Sequence, residues 1–230
     1  AWIVLQPLVS MAVFSVLFGG LLGVPSGDVP YPVFVYAGLL PWQYFAGSLT
    51  RSSTSLVGSA HIITKVYFPR LVIPVSGVIS GLVDFGIAFL VLLVLMVYYR
   101  VAPTPAVVWL PFFLLLAVVT ALGFGLWLSA LNVRYRDVNV LVPFLIQIWM
   151  YLTPVIYPST IIPEQFRWLL ALNPMTGAVT GFRWALLGDH LADAQAPGPL
   201  FAASVAISLL VLVSGLVFFR RTERTFADII

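Results

Sequence analysis

Few side chains in this sequence can do chemistry, and their spacing excludes most of what they might do. The 230 residues include two histidines, one lysine, eight acids and no cysteine. Lys65, the single lysine, is not preceded by the Gly-rich loop that cradles a nucleotide's phosphates, so the chain has no P-loop of its own. His61 and His190 lie far apart, without cysteines or clustered carboxylates beside them. Disulfides and thiol catalysis are thereby excluded, and no metal site is expected. No paired carboxylates sit in the apolar stretches, which argues against a glycosidase or a metal-dependent sugar transferase. Asp189, His190 and Asp193 form a small polar group that reads as a solvated turn.

Asp84 is the exception, because it lies in the middle of an apolar run. An intramembrane carboxylate is costly and is a functional hypothesis by default. No Lys, Arg, His or Glu is expected within the spans to pair with it. Two readings follow: the acid of a proton-coupled transporter, or a hydrated or protonated side chain bonded to Ser, Thr or backbone of a neighbouring helix. Gly77-x-x-x-Gly81 precedes it by one to two turns and would let another helix approach closely.

The elements that must position these residues are membrane spans. Hydrophobic residues make up 61% of the chain and charged ones 8%, against roughly 25% charged in a soluble domain. A helix needs roughly 20 apolar residues to cross the hydrocarbon. Six such segments are expected, at about 1–18, 33–49, 71–99, 109–131, 138–156 and 200–219, forming one transmembrane domain with no room for a soluble one. Residues 1–18 lack the basic start and small-residue cleavage site of a signal peptide, so they read as a span, with further chain expected ahead of Ala1. Pro41 removes one backbone hydrogen bond inside the second span, and a kink is expected there. Residues 158–190 hold two apolar segments meeting at Asn173-Pro174, each too short to cross, and read as a re-entrant hairpin.

Orientation comes from the basic residues. With the N-terminus inside, the inner segments carry Arg51, Lys65, Arg70, Arg134, Arg136, Arg220, Arg221 and Arg224, which is eight of the 11. Arg100, Arg167 and Arg183 remain outside, so both termini are expected in the cytoplasm. The longest polar connection, 51–70, combines a Ser/Thr-rich start with Leu56, Val57, Ile62 and Ile63. It suits a short amphipathic helix that docks on a cytosolic partner or lies on anionic lipid. Aromatic residues gather at span ends, where a membrane-interface belt accounts for most of them. Trp149 and Tyr151 lie deeper. Such rings, with Trp42, Tyr44 and Phe45, would suit a conduit for sugars.

Several short motifs, in order, complete the picture. They are Leu5-Gln6-Pro7-Leu8, Gly38-Leu39-Leu40-Pro41-Trp42, Lys65-Val66-Tyr67-Phe68-Pro69-Arg70, Leu131-Asn132-Val133-Arg134-Tyr135-Arg136-Asp137, Leu172-Asn173-Pro174-Met175, Gly181-Phe182-Arg183-Trp184 and Phe226-Ala227-Asp228. In this order and spacing the chain resembles the permease subunit of a type-2 ABC exporter of the O-antigen and polysaccharide branch, with teichoic-acid export close. The match covers nearly the whole chain. It departs at Leu71, where relatives often carry an acidic residue.

The resemblance implies an all-α, six-span permease in a bacterial inner membrane, working as a homodimer with two separate ATP-binding cassette subunits. ATP and its magnesium would be bound by those subunits; this chain would need no cofactor and catalyse nothing. Coupling would run through Ser53, Leu56, Val57, His61, Ile62 and Lys65, and through the turn at Arg134, Arg136 and Asp137. Glu164, Arg167, Asn173, Pro174 and Arg183 would form an outer gate, and an amphipathic interface helix would precede the first span. The cargo would be a lipid-linked polysaccharide, with Arg51 or Arg70 meeting its pyrophosphate. Membrane lipid is a further partner, and nucleic acid is not. Two rivals stand beside this reading: an exporter of drugs or small lipids of the same superfamily, and a proton-coupled secondary transporter built on Asp84.

Overall fold

The computed structural model describes residues 2–59, 69–191 and 198–223. Every element among them is helical: α1 (Trp2–Phe14), α2 (Tyr31–Gly58), α3 (Val72–Tyr98), α4 (Leu110–Arg134), α5 (Val138–Leu152), α6 (Arg167–Leu172), α7 (Pro174–Leu187) and α8 (Pro199–Thr222). A π-helical segment, Ser15–Leu21, prolongs α1, and a 3-10 turn, Pro105–Trp109, leads into α4. Four segments are long and apolar enough to cross a membrane: Trp2–Leu21, Val72–Tyr98, Pro105–Arg134 and Phe201–Thr222.

The helices alternate in direction, and hydrogen bonds define two ends. At one end Asn132 Nδ2 donates to Ser53 O at 2.8 Å, and Arg70 donates to Glu223 O. At the other, Tyr31 Oη donates to Ile156 O at 2.5 Å, Asp28 N to His190 O at 3.0 Å and Thr104 N to Leu186 O at 3.1 Å. The first may be called the basic end, since Arg70, Arg134, Arg136, Arg220 and Arg221 gather there.

Helix α2 is the hub. It packs most extensively against α4 and α3, and it also touches α1, α5 and α7. Its apolar face wraps around the helix, with Val33, Val35, Tyr36, Ala37 and Phe45 all fully buried. This explains why α2 is the least hydrophobic of the long helices. A helix that faces protein tolerates Ser, Thr and Gly, whereas a lipid-facing one must be apolar. Helices α3 and α8 show the converse, presenting Val83, Leu90, Val94 and Val97, and Leu209, Leu210 and Val213, on their outer faces.

Three boundaries differ from expectation. The second span does not give way to a loop at residue 50: α2 continues unbroken to Gly58. Its Ser/Thr run survives as helix because the hydroxyls bond back one turn, Ser53 Oγ to Thr50 O at 2.9 Å and Ser55 Oγ to Ser52 O at 2.7 Å. Helix α5 stops at Leu152, short of the expected 156, and its 15 residues span only about 22 Å. Pro154 is the cause, since it pushes the preceding Thr153 to extended backbone (φ −102°, ψ 136°). The first span passes from α- to π-helix before Gly19-Gly20, and a Cβ on Gly19 would sit 2.8 Å from the Tyr31 ring.

One arginine of the expected outer gate lies deeper than its assignment implied. Arg183, placed there by the topology and the family resemblance, is 3% exposed. Its guanidinium stacks 3.9 Å above the Phe34 ring and donates to Val155 O at 2.5 Å. Gly38 makes the room, because a Cβ there would lie 2.1 Å from Arg183 Nη2 and 2.8 Å from Val155 O. Gly38→Ala is therefore expected to displace Arg183 and loosen α7 from α2, at a cost of about 1–3 kcal/mol. A thermal unfolding curve of the purified variant that overlays the wild type would refute this.

Candidate functional site

Three groups of residues carry the functional argument, and the bundle sorts them by height. At the basic end, α2, α4 and α5 meet on one amide. Asn132 is fully buried; its Nδ2 donates both to Ser53 O at 2.8 Å and to Asn139 Oδ1 at 2.7 Å. The start of the expected coupling segment is thus tied to the helices flanking the Arg134–Asp137 turn by a motif residue not assigned a role of its own from sequence. Ser53 and Leu56 are buried, while Arg134, Arg136 and Asp137 are exposed. Leu56 packs in a small cluster with Leu126, Ala130, Val133 and Phe219, which links the last turns of α2 to α4 and α8. His61, Ile62 and Lys65 lie outside the described residues, as do Asp193, Arg224 and Phe226–Asp228.

One level deeper lies an ion pair, which corrects the expectation that Asp84 has no charged partner. Arg51 Nη1 donates to Asp84 Oδ2 at 3.0 Å, and both side chains are 39% exposed. Arg51 Nε also donates to Gly77 O at 3.2 Å. The pairing follows from helix register. Once α2 continues past residue 50, Arg51 lies against α3, and Gly77 and Gly81 supply the space. A Cβ on Gly81 would come within 2.5 Å of Arg51 Nη2, and one on Gly77 within 3.3 Å of Ser52 N. Arg70, the second residue assigned to lipid pyrophosphate, donates to the Glu223 carbonyl, which fastens the start of α3 to the end of α8.

The third group is aromatic. Trp42, Tyr44 and Phe45, expected to offer faces to a conduit, are at most 4% exposed within this chain. Their rings serve the core: Phe45 and Trp42 meet Trp149 at 5.0 and 6.5 Å between centroids, and Tyr44 Oη donates to Val78 O. Tyr151, by contrast, is 52% exposed. It shares with Phe144, Leu145, Ile148 and Leu152 an uncovered face of α5.

Beyond α5 the chain turns back through 3-10 turns into α6 and α7. Asn173 caps α7, its Oδ1 accepting from Met175 N at 3.1 Å and from Trp149 Nε1 at 2.9 Å. Its Nδ2 donates to Thr153 Oγ1 at 2.8 Å. A cavity of about 550 Å³ lies over this amide, walled by Phe124, Trp149, Tyr151, Tyr157, Phe166 and Leu170. Tyr157 Oη donates to Tyr151 O at 3.0 Å, and burial raises the Tyr157 pKa, so its hydroxyl stays neutral. Glu164 and Arg167 form a weak, water-exposed pair at 3.6 Å. Pro174 opens α7 at its first position, where the missing N–H has no helical partner to lose.

Among the described residues no cluster of His, Cys, Asp or Glu has the composition of a metal site. The arrangement is a helix bundle with an uncovered apolar face, a charged end and an aromatic cavity at the opposite end.

Comparison with known proteins bears on the same point. The family described as ABC-2 type transporter matches residues 1–187. An O-antigen export system permease protein, RfbA, of Myxococcus xanthus is 36% identical over 226 residues, covering 96% of this chain and 85% of the relative. RfbA of Klebsiella pneumoniae is 32% identical over 234 residues, covering 100% and 86%. The polysialic acid transport protein KpsM of Escherichia coli is 23% identical over 227 residues, covering 96% and 85%. With matches of this extent along a bundle of apolar helices, the chain belongs to the ABC-2 type transporter family, as a multi-pass membrane permease similar to those of O-antigen export.

Proposed function

We propose that this chain is the channel-forming subunit of an ATP-driven exporter that moves a lipid-linked, O-antigen-like polysaccharide out of the cytoplasm. The observation that carries this reading is the similarity to two O-antigen export permeases along nearly the entire chain. Six crossings are assigned to α1, α2, α3, α4, α5 and α8. The gathering of arginines at one end supports placing that end, and both termini, in the cytoplasm.

In this reading two copies assemble around the face of α5 that bears Phe144, Ile148 and Tyr151. Two ATP-binding cassette subunits dock on Ser53–Lys65 and on the Arg134–Asp137 turn. ATP binding draws the cassettes together, and Asn132 passes that displacement from the end of α2 to the start of α5. The glycan slides past aromatic rings that offer many weak, equivalent contacts, as a polymer requires. Residues 158–190, with Asn173 at their turn, form the outer gate. A proton-coupled carrier built on Asp84 is disfavoured, because Arg51 already neutralises that carboxylate.

The test is purification of the full-length protein from its host in mild detergent, together with whatever accompanies it. A stoichiometric ATPase subunit is expected, lost when Ser53–Lys65 is replaced by a Gly/Ser linker that leaves membrane insertion intact. A chain that purifies alone, and whose transport follows the proton gradient, would overturn the proposal.

A further inference from the structure

A groove of about 300 Å³ runs between α1, α2 and α3, with the Arg51–Asp84 pair in its wall. The volume equals that of about ten water molecules. Gln6 and Gln43 add two amides to its lining, and Trp2, Ile3, Leu40 and Phe85 make the remainder apolar. The groove is thus amphipathic, although it lies between membrane-spanning helices.

Its depth decides what can fill it. Asp84 is the thirteenth residue of α3, about 18 Å along the helix from its start. The guanidinium, anchored on Gly77 O, reaches up to it from the basic end. Both charges are therefore at hydrocarbon depth, in the half of the membrane nearer that end. An ion pair with 39% of each side chain uncovered cannot face bare hydrocarbon at this depth without a heavy penalty. The groove must hold a polar occupant.

Charge selects the occupant. The lining offers one cation and one anion, so its net charge is zero. Arg51 uses two of its five donor hydrogens, on Gly77 O and Asp84 Oδ2. Asp84 has a second oxygen with further acceptor capacity. A purely anionic head would satisfy Arg51 while facing repulsion from Asp84. A head carrying a phosphate and a primary ammonium satisfies both without breaking the pair, and its hydrocarbon chain has the apolar wall formed by α1.

We propose that this groove binds the head of a zwitterionic aminophospholipid from the surrounding leaflet, with phosphate on Arg51, ammonium on Asp84 and an acyl chain along α1. The proposal rests on α1, α2 and α3 crossing the membrane, and is independent of what the exporter carries. The lipid acts as a structural wedge that completes the α1–α2–α3 contact.

The experiment uses the full-length protein in nanodiscs containing equal amounts of phosphatidylethanolamine, phosphatidylglycerol and phosphatidylcholine, with retained lipid counted by native mass spectrometry. Phosphatidylethanolamine is expected to be retained over the other two. Asp84→Asn, nearly isosteric, is expected to reduce that preference about tenfold, the loss of one charge-assisted hydrogen bond. Ala46→Phe narrows the groove without touching the pair and is expected to lower retention of all three, which keeps the idea testable if the Asp84 variant does not fold. Equal retention of the three lipids by the wild type overturns the proposal, as does an unchanged preference in Asp84→Asn. Displacement of phosphatidylethanolamine by a stoichiometric amount of polyprenyl phosphate also overturns it, reassigning the groove to a lipid-linked substrate.

Discussion

Gly123→Leu is expected to leave no monodisperse protein after detergent extraction, because α4 and α8 touch there through their backbones. A Cβ on Gly123 would fall 2.7 Å from Leu212 N and 2.8 Å from Val211 C. Across the same contact, a Cβ on Gly215 would fall 2.5 Å from Gly123 O. Neither neighbour is a side chain that can swing aside, so the helices must separate. Separation also breaks what the contact holds in register: the buried Thr120–Ser208 hydroxyl pair at 2.9 Å, the Trp127 Nε1–Ser214 bond at 3.1 Å, and the Trp127–Phe218 stack at 4.0 Å between centroids. Without a hydrophobic effect between spans, such packing and hydrogen bonding is what holds them together. Gly123→Ala alone is expected to cost about 1–3 kcal/mol, and the leucine variant considerably more. Size-exclusion profiles and thermal unfolding of the pair decide the matter. A leucine variant that elutes and melts like the wild type would show that α4 and α8 are not in this contact.

Arg51→Met is the second large effect. It strips the partner from a carboxylate at hydrocarbon depth and removes the guanidinium bond to Gly77 O, which keeps only the Ser80 hydroxyl among its side-chain donors. Removing one member of a fully buried pair costs about 3–5 kcal/mol. Since both side chains are 39% exposed, about 2 kcal/mol is the fairer figure after discounting for screening. The diagnostic is the double variant Arg51→Met, Asp84→Leu, which removes both charges together. It is expected to recover most of the lost stability, giving a favourable coupling between the two positions. If the double variant is as unstable as the summed singles, the two residues do not interact.

How much of this was legible in the sequence follows from which side of each helix faces lipid. Helices α3 and α8 could be read at once, because a lipid-facing surface demands a continuous apolar run and Leu71–Tyr99 and Leu200–Phe219 supply one. The early stop of α5 was also written there, in Pro154, but a run of apolar letters on both sides hid it. The end of α2 was not legible in the same way. Arg51-Ser-Ser-Thr-Ser looks like a loop, yet the hydroxyls of Ser53, Thr54 and Ser55 bond back to carbonyls of their own helix, and Ser52 and Ser53 are buried. That error concealed the Arg51–Asp84 pair, whose members are 33 residues apart and meet only if α2 continues as helix. The burial of Arg183 was hidden for a related reason. Its neighbours in sequence, Phe182 and Trp184, say nothing of which way the guanidinium turns, whereas its neighbours in space are Phe34 and the carbonyl of Val155.

Helix α5 has a mechanical consequence of its own. It is pinned near its start by Asn139 on Asn132, and near its finish by Trp149 and Thr153 on Asn173. Between the two pins Phe144, Leu145 and Ile148 are exposed within this chain, while Val142 is buried and Ile146 and Met150 pack against the core. A rod fixed at two points keeps one cheap degree of freedom, rotation about the line joining them. Torque applied at the lower pin would swing Phe144 and Ile148 through an arc, resisted by the Trp149 ring packed on Phe45 and Phe124. The two asparagines are the pivots of that hinge line, and its stiffness is set by two side-chain amides together with the packing of the Trp149 ring.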